Sequence, residues 1–195
     1  EASSNSRVLE SKMPGNAWFS SAHSIKNNFD FNLANEVKKW EVLRNGSNEL
    51  IGAKVIGYFP ETTILKTKLI SEENKVSFEF YDKSGKIICR KVEAYTDAND
   101  KTHDFTAGSS SQSGGTVKLY SIYYVYDEFN QLVYNVTVQN DASPAFSDFT
   151  DNENLSDLNF KGLVEAIHYD SHGRVVAKHA CDKDWEYFAY NALDK

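Results

Sequence analysis

Proline is scarce in this 195-residue chain, with only three, and cysteine and methionine are scarcer still, at two and one. Two cysteines cannot staple a disulfide-rich scaffold. Cys89 and Cys181 read as two separate buried thiols, with a single bridge in an oxidising compartment as the alternative. Long apolar runs are missing too. None approaches the roughly 20 residues that cross a bilayer as a helix, so membrane insertion is not expected. Positive charge is in deficit: 21 Lys and Arg stand against 28 Asp and Glu, a net charge of −7. Such a surface repels phosphate backbones and anionic membranes, which argues against nucleic acid as a partner. The signatures of phosphate-binding and dinucleotide-binding loops are absent, as is a Ser-His-Asp order, and no cofactor is expected.

What is present points to strands. Aromatic residues make up 13% of the chain, chiefly Tyr and Phe, and such side chains pack well on pleated, half-buried surfaces. Residues 1–34 are polar and irregular and read as an extended lead-in, pinned by Trp18, Phe19, Phe29 and Phe31. A hairpin is expected from Glu36 to Ile56, turning at Asn45-Gly46, and a strand at 62–70. Val76, Phe78 and Phe80 alternate, a turn follows, and Ile87 to Tyr95 returns. A second hairpin runs from Val117 to Val138 and a third from Leu163 to Ala180. WEYFAY (185–190) reads as a last strand. Residues 97–115 and 140–154 read as flexible loops, with one short helix in NENLSDLNF (152–160). The expected fold is all-β: consecutive antiparallel hairpins in one curved sheet over residues 35–195.

One motif recurs. YDKSGK starts at Tyr81, YDEFNQ at Tyr126, YDSHGR at Tyr169 and YNALDK at Tyr190. A unit of about 22 residues accounts for the spacings, with vacant slots near residues 58, 103 and 148, and fixed periods of this size mark repeat architectures. The chemistry is that of a turn. Asp82, Asp127 and Asp170 can cap backbone N–H groups two residues on. Gly85 and Gly173 can take a positive φ, and Asn130 and Asp194 are the residue types that best tolerate it after Gly. Each Tyr ends the incoming strand.

Turn, period and flanking strands together resemble the YD-repeat, or RHS-repeat, proteins of bacteria, in particular the region that precedes and opens the repeats in large RHS-like proteins of Bacteroidetes. The resemblance rests on EASSNSRVLESKMPGNAW, ANEVKKW (34–40), GYFPETTILKT (57–67), FEFYDKSGKIICRK (78–91), YYVYDEFNQLVY (123–134) and IHYDSHGRVVAKHACDKDWEYFAYNALDK (167–195). There are departures. NVTVQN stands where the family has a Pro pair, and the arginine that closes the consensus turn occurs only at Arg174, replaced elsewhere by Lys86, Gln131 and Lys195. The chain also stops inside a repeat, which suggests a fragment or a shortened relative. The resemblance implies antiparallel strands laid side by side in a curling sheet that builds a shell. It also implies repeats without catalytic residues, and secretion or surface display after loss of a signal peptide.

Other chemistry fits these residues less well. Asp82, Asp127 and Asp170 as acid–base groups would need to face one another, whereas equivalent turns keep them apart. His168, His172 and His179 lack zinc spacing, and His179 counts to the strand face opposite His168. The acidic run Asp148, Asp151, Glu153 and Asp157 lacks the Gly and closing Glu of a calcium loop and reads as solvated. Tyr120, Tyr123, Tyr124, Tyr126 and Tyr134 read as packing residues. The leading expectation is a non-catalytic structural segment that joins further repeats, or another protein, through its C-terminal edge strand. The second is a glycan- or protein-binding module using exposed aromatics or that open edge. A hydrolase would require two carboxylates converging about 5–10 Å apart in a cleft.

Overall fold

The computed structural model describes residues 8–12, 24–71, 75–96, 116–138, 147–151 and 158–191. Nearly all regular structure there is antiparallel β, as expected, with one six-residue helix, Leu158–Leu163 (α1). The backbone divides into two compact units. The first comprises Glu1–Ala34, Pro60–Ser121 and Gln139–Asp141, and the second comprises Asn35–Phe59, Ile122–Val138 and Ala142–Lys195.

The strands of the first unit are β1 (Glu10–Ser11), β2 (Ile25–Phe31), β5 (Leu65–Ile70), β6 (Val76–Tyr81) and β7 (Ile87–Thr96), neighbours in that order. The supposed lead-in therefore holds an inner strand. β2 pairs along its length with β5, from Lys26↔Ile70 to Phe31↔Leu65. Between these partners the chain spends residues 35–59 in the other unit. Asn32 closes the gap. It is 1% exposed. Its Oδ1 accepts the N–H groups of Thr63 and Ile64, both at 3.0 Å, and its Nδ2 donates to the Pro60 carbonyl at 2.8 Å. Its backbone N–H donates to Ile64 O at 3.1 Å, and its carbonyl accepts from Thr62 N at 3.0 Å. A buried amide is stable only when its hydrogen bonds are made, and here both ends of the carboxamide are used. Thr62 sits at φ 62°, a strained value for a β-branched residue. The core of this unit centres on Ile64, Phe80 and Cys89.

The second unit has two sheets. One orders β10 (Asp148–Thr150), β4 (Leu50–Tyr58) and β3 (Lys38–Arg44). The other follows the end of β8 (Thr116–Tyr126) with β9 (Leu132–Val138), β11 (Val164–Tyr169), β12 (Val175–His179) and β13 (Glu186–Tyr187). Aromatic rings link them. Trp40 of β3 lies 5.9 Å from Tyr123 and 6.0 Å from Phe149, and Phe149 meets Tyr134 edge-on at 5.1 Å. Phe160 of α1 continues the chain to His179 at 4.7 Å. β10 approaches β4 so closely at Gly52 that a Cβ there would lie 2.1 Å from the Phe149 carbonyl oxygen. Only glycine fits.

Several sequence expectations change. Residues 148–150 are a strand on β4, not a loop and not a turn slot, because Phe149 fills the core. At the Tyr58 slot β4 ends and the chain turns at residues 61–62, but the strands on either side do not pair as a hairpin: β4 pairs with β3 and β10, while β5 pairs with β2 and β6. WEYFAY is strand only at Glu186–Tyr187. The 97–115 segment, with its slot near 103, lies outside the described residues, as do Trp18 and Phe19.

Replacing Asn32 with Ala strands two N–H groups and a carbonyl in a buried clasp. The expected loss is about 2–4 kcal/mol, read as a lower urea midpoint. A change below about 0.5 kcal/mol would mean that the clasp does not hold the two chain ends.

Candidate functional site

Tyr81, Tyr126 and Tyr169 are the last residues of β6, β8 and β11. After each, one Asp oxygen accepts two backbone N–H groups. Asp82 Oδ1 takes Ser84 at 2.8 Å and Lys86 at 2.9 Å. Asp127 Oδ1 takes Phe129 at 2.9 Å and Gln131 at 2.8 Å. Asp170 Oδ1 takes His172 at 2.8 Å and Arg174 at 3.0 Å. The fourth turn residue donates to each Asp carbonyl at 3.0–3.1 Å, from Gly85, Asn130 and Gly173. Those three residues have φ of 83°, 64° and 77°. This is a short hairpin loop closed by a bulge whose extra residue is left-handed.

The same construction occurs once more, where the sequence pointed to a different turn. Asn45 Oδ1 accepts Ser47 N and Glu49 N, both at 2.9 Å. Asn48 donates to Asn45 O at 3.0 Å and has φ 66°. The left-handed residue is Asn48, not Gly46, so Asn45-Gly46 is not a two-residue hairpin loop. The signal was readable: Asn45, Asn48 and Glu49 have the spacing of Asp127, Asn130 and Gln131.

Tyr190 departs from the series. It lies outside any strand, donates its hydroxyl to Val175 O at 2.8 Å, and carries the Arg174 guanidinium 4.7 Å over its ring. Asp194 lies outside the described residues. Arg174 also clasps its own turn, its Nε 2.8 Å and its Nη2 2.7 Å from Asp170 Oδ2. Arg44, not singled out from sequence, reaches Glu128 at 2.9 Å and Asn48 O at 2.8 Å, bracing the Asp127 turn against the Asn45 turn.

The electrostatics suit caps better than reagents. The Arg174 backbone N–H, then its side chain and the His172 N–H, hold the Asp170 carboxyl down at about 2. Partial burial pushes Asp82 up, but the Ser84 hydroxyl and the Lys86 and Ser84 N–H groups outweigh it and leave that carboxyl below its ordinary value. Burial, then the bond to Glu79, pushes the Tyr81 hydroxyl up to about 12. Burial, then the Asp127 charge, also raises Tyr169, whose hydroxyl donates to Leu132 O at 3.0 Å.

A second cluster was missed. Asp151, expected in a solvated acidic run, has a side chain only 1% exposed. It accepts the Tyr134 hydroxyl at 3.0 Å and meets His168 Nε2 at 2.6 Å. Trp185 covers His168 and His179, with ring centres 4.8 Å and 5.4 Å away. His168 and His179 share a face, because Ala166 pairs with His179 and His168 with Ala177. The bulge at Tyr169 inserts one residue and reverses the parity counted from sequence. His179 is fully buried, its Nδ1 3.1 Å from Val164 O. Among the described residues no three His, Cys, Asp or Glu side chains converge as metal ligands. Burial, then Glu165 and Asp182, raises the Cys181 thiol, and Cys89 and Cys181 are both unbridged.

Asp82→Ala should destabilise by about 1–2 kcal/mol, whereas Asp82→Asn, which keeps the accepting oxygen as Asn45 does, should cost about 0.5 kcal/mol or less. Equal losses in urea denaturation would show that charge, not capping, matters there. Depressed carboxyls stabilise the fold above their unfolded value of about 3.9, and that contribution fades as pH falls toward 2. Wild type should therefore lose its advantage over Asp170→Asn between about pH 4 and pH 2; an advantage independent of pH in that window would contradict the assignment. No protein-family model matches the chain, and no curated protein is similar to it.

Proposed function

We propose that this chain is a non-catalytic structural β-repeat segment of a secreted or cell-surface protein, built on the plan of YD-repeat scaffolds. One observation carries the reading: Asp82, Asp127 and Asp170 build the same loop with the same bonds. In each, one carboxylate oxygen is committed to two N–H groups of its own backbone. A general acid or nucleophile needs a carboxylate aimed at a substrate, and these are aimed at the chain. The repeated element thus has a complete structural job without a ligand.

A second reading, a protein- or glycan-binding module, draws on the end of the second sheet. Tyr187 is 62% exposed and Phe188 and Tyr190 are each 38% exposed, beside the last strand in the order. Exposed aromatics next to an unpaired edge are a common recognition surface.

Surface placement and the scaffold role are tested together by adding protease to intact producing cells that carry the tagged full-length protein. The expected result is cleavage or release of the tag without lysis, with display kept in Asp82→Asn and reduced in the Asp82→Ala, Asp127→Ala, Asp170→Ala triple variant. Full protection until lysis would rule out the proposed location. Unchanged display of the triple variant would remove the structural role of the turns.

A further inference from the structure

The first unit carries a local reversal of charge within an acidic chain. The β2–β5 register sets Asn28 beside Lys68 and Asp30 beside Lys66, and the β5–β6 register sets Lys68 beside Phe78 and Lys66 beside Phe80. Paired residues share a face, so these side chains border one open groove of about 350 Å³, lined by Asn28, Asp30, Lys66, Lys68 and Phe78. Lys66 Nζ stands 4.8 Å from the centre of the Phe78 ring and 5.6 Å from that of Phe80. Lys68 Nζ stands 5.9 Å from Phe78. Exposed Lys26 lies on the same face, two residues before Asn28. Ammonium groups gathered over one aromatic floor suit a partner that brings carboxylates.

The chain itself supplies that chemistry. Asp182, Asp184 and Glu186 are exposed and alternate with Lys183 and Trp185, and Tyr187 follows at 62% exposure. Glu186 and Tyr187 form β13, the last strand in its order. Most of the chain's net charge of −7 falls in the second unit. Two copies therefore repel broadly, and a lysine groove is a place where an acidic edge is drawn in.

We propose that the groove of Lys66, Lys68 and Phe78 receives the segment Asp182–Tyr187 of a second copy of this chain. The carboxylates of Asp184 and Glu186, two residues apart and so on one face of the segment, pair with the two ammonium groups, and Asn28 bonds the incoming backbone. Groove and segment are different surfaces, so one contact leaves a second groove and a second segment, which pair with each other in a closed dimer or with further copies in rings or filaments. The assembly goes beyond the scaffold reading, which a monomer would satisfy equally.

Sedimentation velocity over a concentration series tests it, with melting curves confirming that each variant folds. Wild type should associate with rising concentration, about tenfold more weakly near 0.5 M salt than near 0.05 M. Lys66→Glu with Lys68→Glu should be monomeric alone, and so should Asp182→Lys with Asp184→Lys and Glu186→Lys. An equimolar mixture of the two should associate, because each then offers a complementary partner surface to the other. If the groove reversal unfolds the first unit, Lys66→Gln with Lys68→Gln takes its place, with about a tenfold loss expected. Wild type that stays monomeric, including one that binds an acidic polysaccharide instead, overturns the proposal. So does association that survives the groove variant, or a mixture that stays monomeric.

Discussion

A single side-chain oxygen that accepts two backbone N–H groups underlies the architecture. At Asn45, Asp82, Asp127 and Asp170 it bonds the residues two and four positions ahead. The bend then needs a left-handed residue at its fourth position, supplied by Asn48, Gly85, Asn130 and Gly173. Both requirements act within five residues, so each hairpin can be specified before any distant contact forms. The oxygen need not be charged, since Asn45 does the same work as the three aspartates.

A second bulge, in the strand pair beyond the loop at His168 and Tyr169, has consequences beyond the turn. It inserts one residue and so exchanges the faces of the returning strand. This is how His179 comes to lie on the face of His168, under Trp185 and against Phe160. Counting alternation through the turn from sequence put it on the other face. The buried Asp151, Tyr134 and His168 contacts sit on that same side of the sheet. A register shift in the strand pair, rather than the turn itself, thus decides which polar groups share the core of the second unit.

Long-range pairing obeys a different constraint. β2 and β5 are separated in sequence by the β3–β4 hairpin, and Asn32 holds the departing and returning chain through both ends of its carboxamide. β10 reaches β4 because Gly52 leaves room for the Phe149 carbonyl. In each case one small or polar residue permits an approach that no periodic pattern announces. The 22-residue rhythm places no hairpin at residues 58 and 148: Tyr58 ends β4 opposite Lys38 of β3, and Asp148 belongs to a strand that pairs with β4 from a distance.

The sequence alone determined the all-β class, the hairpins turning after Tyr81, Tyr126 and Tyr169, and the capping chemistry of their aspartates, because these depend on spacing within a few residues. It carried the Asn45 turn as well, though the Asn-Gly pair concealed it. The tertiary structure alone decided that residues 25–31 form an inner strand, that Asp151 is buried against His168, and that lysines from β5 gather with Asn28 and Asp30 over Phe78. Those outcomes depend on which distant strands pair and in what register, and pairing energy is collected only when both partners are present.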